Sequence, residues 1–220
     1  MPVDTGSDVS QRIMRAAKDL FFARGYANTS LRSIATEAGT SESGVLRVYG
    51  SKNGLLRALY ASCWAEINER VDEAMVAAEE VDPDPRNLLL ELIRTVWQIY
   101  QDDPRMMSFL LSHFGFRETF GLDDADGVDR DIDEKVRQEY YRYLSRPHEL
   151  CSAVAESRPA LAEAGVTAAA LGHIFVSIIY GIQTSWLMAG RETDTSVPLV
   201  TMDEALAAAK SLIYPEMLVA

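Results

Sequence analysis

Between Thr40 and Lys52 the chain reads "TSESGVLRVYGSK". Hydroxyls at Thr40, Ser41 and Ser43, the carboxylate of Glu42, the guanidinium of Arg47, the phenol of Tyr49 and the ammonium of Lys52 crowd this one stretch, with Arg32 just upstream. None forms a nucleophile–base pair. Together they are donors and acceptors suited to phosphate oxygens and base edges, and Gly44 among them leaves room for close approach. Glu42 repels phosphate, so its partner on DNA would be a cytosine amino group or else simply water.

Other chemistries find less support. No nucleophile elbow and no phosphate-cradling glycine loop occurs, so the chain is read as a non-enzyme without a cofactor. His113, His148 and His173 lack close metal-ligand spacing, and no metal site is expected. In "LDDADGVDRDID", aligning Gly127 with the glycine of a calcium loop places Leu122 at the first ligand position, so the frame fails. Cys63 and Cys151 lie inside apolar helical patterns, as buried free thiols in a reducing cytoplasm would.

The elements around the polar stretch have helical spacing. Ile13, Ala16, Ala17, Leu20 and Phe21 make an apolar stripe that Gly25 ends. Thr29 or Ser30 caps a short helix through Ala38, Ser41 caps a second to about Tyr49, and Ser51 caps a long third. Ile34 and Ala38 of one helix and Val45 and Val48 of the next are expected to face inward, with Ala35 small at their crossing. Gly39 sits in the turn, where a positive φ is wanted. The spacing is that of a helix-turn-helix, whose second helix opens toward base edges.

Downstream, prolines in "VDPDP" stop the long helix, and "RNLLLELIRTVWQIY" and "RMMSFLLSHFGF" are two more. Helices are expected over 132–156, 167–189 and from 202 to about 218, with "RPALAEAG" as a connection. The fold is all-α, about nine helices, three short ones followed by six longer. No apolar run approaches the length of a membrane span, and "MPVDTGSDVSQR" lacks the order of a secretion signal, so no membrane partner and a cytoplasmic location are expected.

Charge divides the chain. Its net charge is −12 and its pI about 4.7, yet residues 1–60 hold eight basic side chains against five acidic ones. That leaves +3 at the front and −15 over residues 61–220. The front can meet a polyanion while the remainder repels it.

In "IMRAAKDLFFARGYANTSL", "IATEAG", Ser41, Val45, Tyr49 and "SKNGLL" the chain closely resembles the N-terminal domain of TetR-family transcriptional regulators. The resemblance implies a DNA-binding domain over residues 1–51 and a helical effector-binding and dimerisation domain over 52–220. It further implies a homodimer on a pseudo-palindromic double-stranded operator, most often as a repressor released by a small molecule. Lys52 matches the family's phosphate-gripping lysine. Leu46 stands where a tyrosine that touches the DNA backbone is usual, and Val48 where an aromatic or histidine is usual; Arg47 would then anchor a phosphate or read a guanine. Leu46 also supports the alternative of a same-fold small-molecule binding protein with decayed DNA contacts.

For the effector, of unknown identity but largely apolar, the aromatic and methionine-rich segments put forward Trp64, Ile67, Trp97, Tyr100, Met107, His113, Phe114 and Tyr140. For the dimer, the apolar faces of the last two helices put forward Leu171, Ile174, Phe175, Ile178, Ile182, Trp186, Leu212 and Ile213.

Overall fold

The structure, a computed structural model, describes residues 6–112, 130–189 and 201–214. Among the described residues all regular structure is helical, in ten helices. These are α1 (Gly6–Arg24), α2 (Leu31–Glu37), α3 (Glu42–Tyr49), α4 (Lys52–Val81), α5 (Pro85–Asp102), α6 (Pro104–Ser112), α7 (Arg130–Glu156), α8 (Pro159–Glu163), α9 (Ala168–Ala189) and α10 (Met202–Ile213). The all-α reading is borne out. The tenth helix is α8, a single turn within the segment expected to be a connection; Pro159 starts it at the position where a missing N–H costs nothing. The last helix stops at Ile213 rather than near 218, because Tyr214 precedes Pro215 and is pushed out of the helical region, to φ −122 and ψ 63.

The chain divides into two compact units: residues 1–65 with 105–140, and residues 66–104 with 141–220. In the first, α1 packs on α2 and α2 on α3. Its core joins Ile13, Ala16, Ala17 and Phe21 to Ile34, Ala35 and Val45, and to Leu55, Leu56 and Leu59 of α4, each buried. Each buried valine, leucine, isoleucine or phenylalanine among them contributes about 1.5–3 kcal/mol. Phe109 of α6 stacks on Tyr60 at 4.6 Å and meets Phe22 at 5.0 Å, while the Tyr60 hydroxyl donates to the Phe109 carbonyl.

In the second unit α5 packs against both α9 and α10. Leu88, Leu89, Leu92, Ile93 and Val96 of α5 are buried, as are Phe175 and Ile179 of α9 and Ala205, Ala209 and Ile213 of α10. Asp84 caps α5 by accepting from the Arg86 N–H, and the Arg86 guanidinium lies 4.4 Å over the Tyr214 ring. The Tyr214 hydroxyl donates to Asn87 Oδ1 at 2.7 Å, and Arg158 donates to the Ile213 carbonyl, closing the end of α10.

Candidate functional site

The polar stretch folds as its caps dictate. Ser30, not Thr29, caps α2, through a reciprocal box with Ser33. Thr29 is buried instead, and its hydroxyl donates to the Gly25 carbonyl at 2.9 Å, sealing the end of α1. Gly39 turns the chain at φ 64. Ser41 accepts from the Gly44 N–H at 3.1 Å and so starts α3, which Gly50 ends at φ 70.

On α3 the residues Glu42, Ser43, Leu46 and Arg47 fall on one exposed face, the i, i+1, i+4 and i+5 positions of a helix. Ser41 and Arg32 are also exposed, and Thr40 is half-buried. A guanidinium, several hydroxyls and one carboxylate thus face water together, a set able to contact phosphate and base edges. Leu46 is 41% exposed on the same face, an apolar group where polar contact would be expected.

Three expectations change here. Val48 does not face inward but is 38% exposed, because Tyr49 takes the inward place one turn after Val45. The Tyr49 hydroxyl donates to the Ser10 carbonyl at 3.1 Å and meets the Ser10 hydroxyl at 2.9 Å, fastening α3 to α1; burial raises its pKa, opposed by that side-chain bond. Gly44 is buried, and a Cβ there would stand 2.5 Å from Thr40 Oγ1, so its smallness serves the turn and not a base.

Lys52 is half-buried, and its Nζ donates to the Tyr26 carbonyl at 2.6 Å while lying 4.0 Å over the Tyr26 ring. Burial lowers its pKa. The ammonium keeps further donors, so the contact fixes its position without using it up. Tyr26 and Ser10 were not singled out from the sequence; the "GY" after α1 was the available signal for the first, and nothing local marks the second. Arg57 counts in the +3 balance yet is 2% exposed, so its charge does not face DNA. Arg12 donates from Nε to the Ala38 carbonyl at 3.1 Å, capping α2, and pairs with Asp8.

The residues put forward for an effector divide between the two units. Trp64, Met107 and Tyr140 belong to the first unit and Ile67, Trp97 and Tyr100 to the second; His113 and Phe114 lie outside the described residues. Trp64, Ile67, Met107, Trp97 and Tyr100 are all buried in packing. Within the second unit a cavity of about 10 Å³ is lined by Leu92, Val96, Tyr143, Pro147, Val176, Ile179 and Tyr180, none of which is among the residues put forward above. It has room for about one water. A shallow surface groove of about 470 Å³ runs along Arg70, Glu73, Glu91, Arg94 and Gln98. Its arginines are paired, Arg94 with Glu91 and Arg70 with Asp102.

Of the residues put forward for a dimer, Phe175 and Ile213 are buried within one copy, Leu171 and Ile178 are half-buried, and Ile174 is 50% exposed. The side chains of Ile182, Trp186 and Leu212 lie outside those described. The exposed face of α9 runs instead through Ala170, His173, Ile174, Ser177, Gly181 and Thr184.

Residues 13–59 match the family of bacterial regulatory proteins called the tetR family. No curated protein matches the chain in sequence. Among solved structures, the fatty acid degradation regulator FadR of Bacillus halodurans superposes with a TM-score of 0.65, over 93% of each chain at 14% identity. FadR of Bacillus subtilis, solved with stearoyl-CoA, gives 0.61 at 14% identity over 96% of this chain and 97% of that one. The TetR-family regulator PfmR of Thermus thermophilus gives 0.56 at 17% identity over 92% and 97%. Residues 13–59 are therefore similar to the N-terminal domain of the tetR family of bacterial regulatory proteins, and the whole chain has a fold similar to those of FadR and PfmR.

Proposed function

We propose that the chain is a ligand-responsive regulator, a repressor that leaves its operator when a small molecule binds its body. On this reading residues 1–51 bind DNA, and residues 52–220 hold the effector and pair two copies. The observation that carries it is the exposed face of α3, where Ser43 and Arg47 stand clear on a helix capped at both ends. A dimer presents two such faces to a pseudo-palindrome, which compensates for a front that carries only +3. The acidic remainder lowers binding to unrelated DNA.

The effector has its seed in the apolar cavity beside Tyr143 and Pro147. Pro147 interrupts the hydrogen-bond ladder of α7, so this is where the helix yields most easily to a larger guest. Helices α4 and α7 each have residues in both units, and on this reading α4, which begins at Lys52, transmits the ligand-induced shift. The ligand regulates only through a difference in its affinity for the two states, typically about 1–3 kcal/mol.

The exposed Leu46 favours a second reading, a binding module whose DNA contacts have decayed. A thermal-shift panel separates the two. It holds hydrophobic cations, flat aromatics and long-chain acyl-CoA thioesters, the last because one structural neighbour was solved with stearoyl-CoA. Each compound that raises the melting temperature is then added to a complex with DNA flanking the gene. Release of the DNA, with reciprocal weakening of the ligand, is expected. A compound that stabilises the chain strongly while DNA binds equally well, or never binds, would favour the module.

A further inference from the structure

Within the second unit α7 and α9 approach closely at one point, and Gly172 allows it. A Cβ there would lie 2.5 Å from His148 Cδ2 and 2.8 Å from its Cγ, so the imidazole occupies space that any other residue would fill. His148 Nδ1 is 2.8 Å from the Leu144 carbonyl oxygen. That oxygen only accepts, so Nδ1 carries the proton and Nε2 presents a lone pair. Nε2 faces His173 Nδ1 at 3.2 Å, with the rings perpendicular and their centroids 5.2 Å apart. His173 is exposed and opens the pair to solvent.

We propose that His148 Nε2 and His173 Nδ1 bind one divalent late-transition ion of the zinc, nickel and copper class. Two nitrogens 3.2 Å apart span one edge of a coordination sphere whose metal–nitrogen bonds are about 2.0–2.1 Å, at an angle of about 100°. The carbonyl of Leu144 is the partner that fixes tautomer and ring orientation in histidine ligands generally. In the metal-free pair His173 Nδ1–H donates to His148 Nε2. To bind, the neutral His173 ring turns and its proton passes through solvent from Nδ1 to Nε2, leaving two lone pairs and no net proton release. Among the described residues no cluster of three histidine, cysteine or carboxylate side chains exists, so water completes the sphere. Imidazole pairs suit these metals and not magnesium or calcium, which want oxygen. The −15 carried by residues 61–220 favours the approach of a dication. The site does not rest on DNA binding, but His173 lies on the exposed α9 face on which two copies are proposed to pair. The titration is therefore run on Ile174→Asp as well as on the parent chain, with the same stoichiometry expected in both.

The test titrates the full, metal-stripped chain with ZnCl2 against a chromophoric chelator, with MgCl2 as control. One Zn2+ per chain is expected, without competition from Mg2+. His173→Gln and His148→Gln should each weaken binding roughly tenfold or more. Because His173 is exposed, its variant should melt as the parent does, which circular dichroism checks. Long-range nitrogen–proton spectra should show the His173 proton on Nδ1 before Zn2+ and on Nε2 after it. Binding unchanged in the double variant, or no saturable binding in the parent chain, would overturn the assignment.

Discussion

Gly44 within α3 and Gly54 in the first turn of α4 meet an added methyl group very differently. At Gly44 the new Cβ would press on Thr40 Oγ1 at 2.5 Å, the end of a side chain that can rotate away. Alanine also recovers up to about 1 kcal/mol of helix propensity, so Gly44→Ala should change stability by no more than about 1 kcal/mol. At Gly54 the Cβ would stand 2.1 Å from the Tyr49 carbonyl oxygen and 3.3 Å from its carbon. Backbone must move there, and Gly54→Ala should cost about 1–3 kcal/mol. Urea melts of the two variants decide the matter. Equal midpoints would mean that the α3–α4 junction is looser than its contacts indicate. The first glycine was read from the sequence as clearance for a base, since nothing local reveals that Thr40 folds back over it.

At the scale of elements, what could be read from sequence was whatever is decided within four residues. Ser30, Gly39 and Ser41 act on their own turn, and the helix-turn-helix follows from them. Faces were harder. On α3, Val45 with Val48 and Val45 with Tyr49 are both helical pairs, and only the long-range bond from Tyr49 to Ser10 selects the second. Helix α9 is apolar nearly all round, so hydrophobicity cannot choose a face; the close approach of Gly172 to His148 turns Phe175 and Ile179 inward and leaves Ile174 out. Ion pairs between elements were equally invisible. Asp72 of α4 receives hydrogen bonds from Arg142 and Arg146 of α7. Burial alone would raise its pKa, but the two guanidiniums outweigh this and hold it below the usual carboxylate range. With a depressed folded pKa, the pair's contribution is complete above the unfolded value of about 3.9 and fades as pH falls through the folded one. These side chains are 31–50% exposed, so it is about 1 kcal/mol or less at neutral pH. Asp72→Asn should therefore lower the urea midpoint at pH 7, and the gap should close in acid. A gap independent of pH would assign the loss to packing.

For the whole molecule the proposal needs two copies, because one head with a +3 balance and one carboxylate on its reading face has little hold on DNA. Among the described residues Ile174 is the large apolar side chain on the open face of α9, and a Cβ at Gly181 on that face would meet nothing within 4 Å. Ile174→Asp should halve the mass seen by light scattering and lower operator affinity with it, since a charge buried without a partner is costly. A variant that stays dimeric would move the interface to another face.

The most direct measurement is a fluorescence anisotropy titration of the purified chain with duplex DNA flanking its own gene, against a scrambled duplex, at several salt concentrations. The account predicts a clear preference for the flanking duplex. Lys52→Ala should weaken both duplexes alike and reduce the salt slope by about one, whereas Arg47→Ala should narrow the preference by about 1–3 kcal/mol if it reads a base. Equal, weak binding of both duplexes by the parent chain, unmoved by either substitution, would contradict the regulator and leave the binding module.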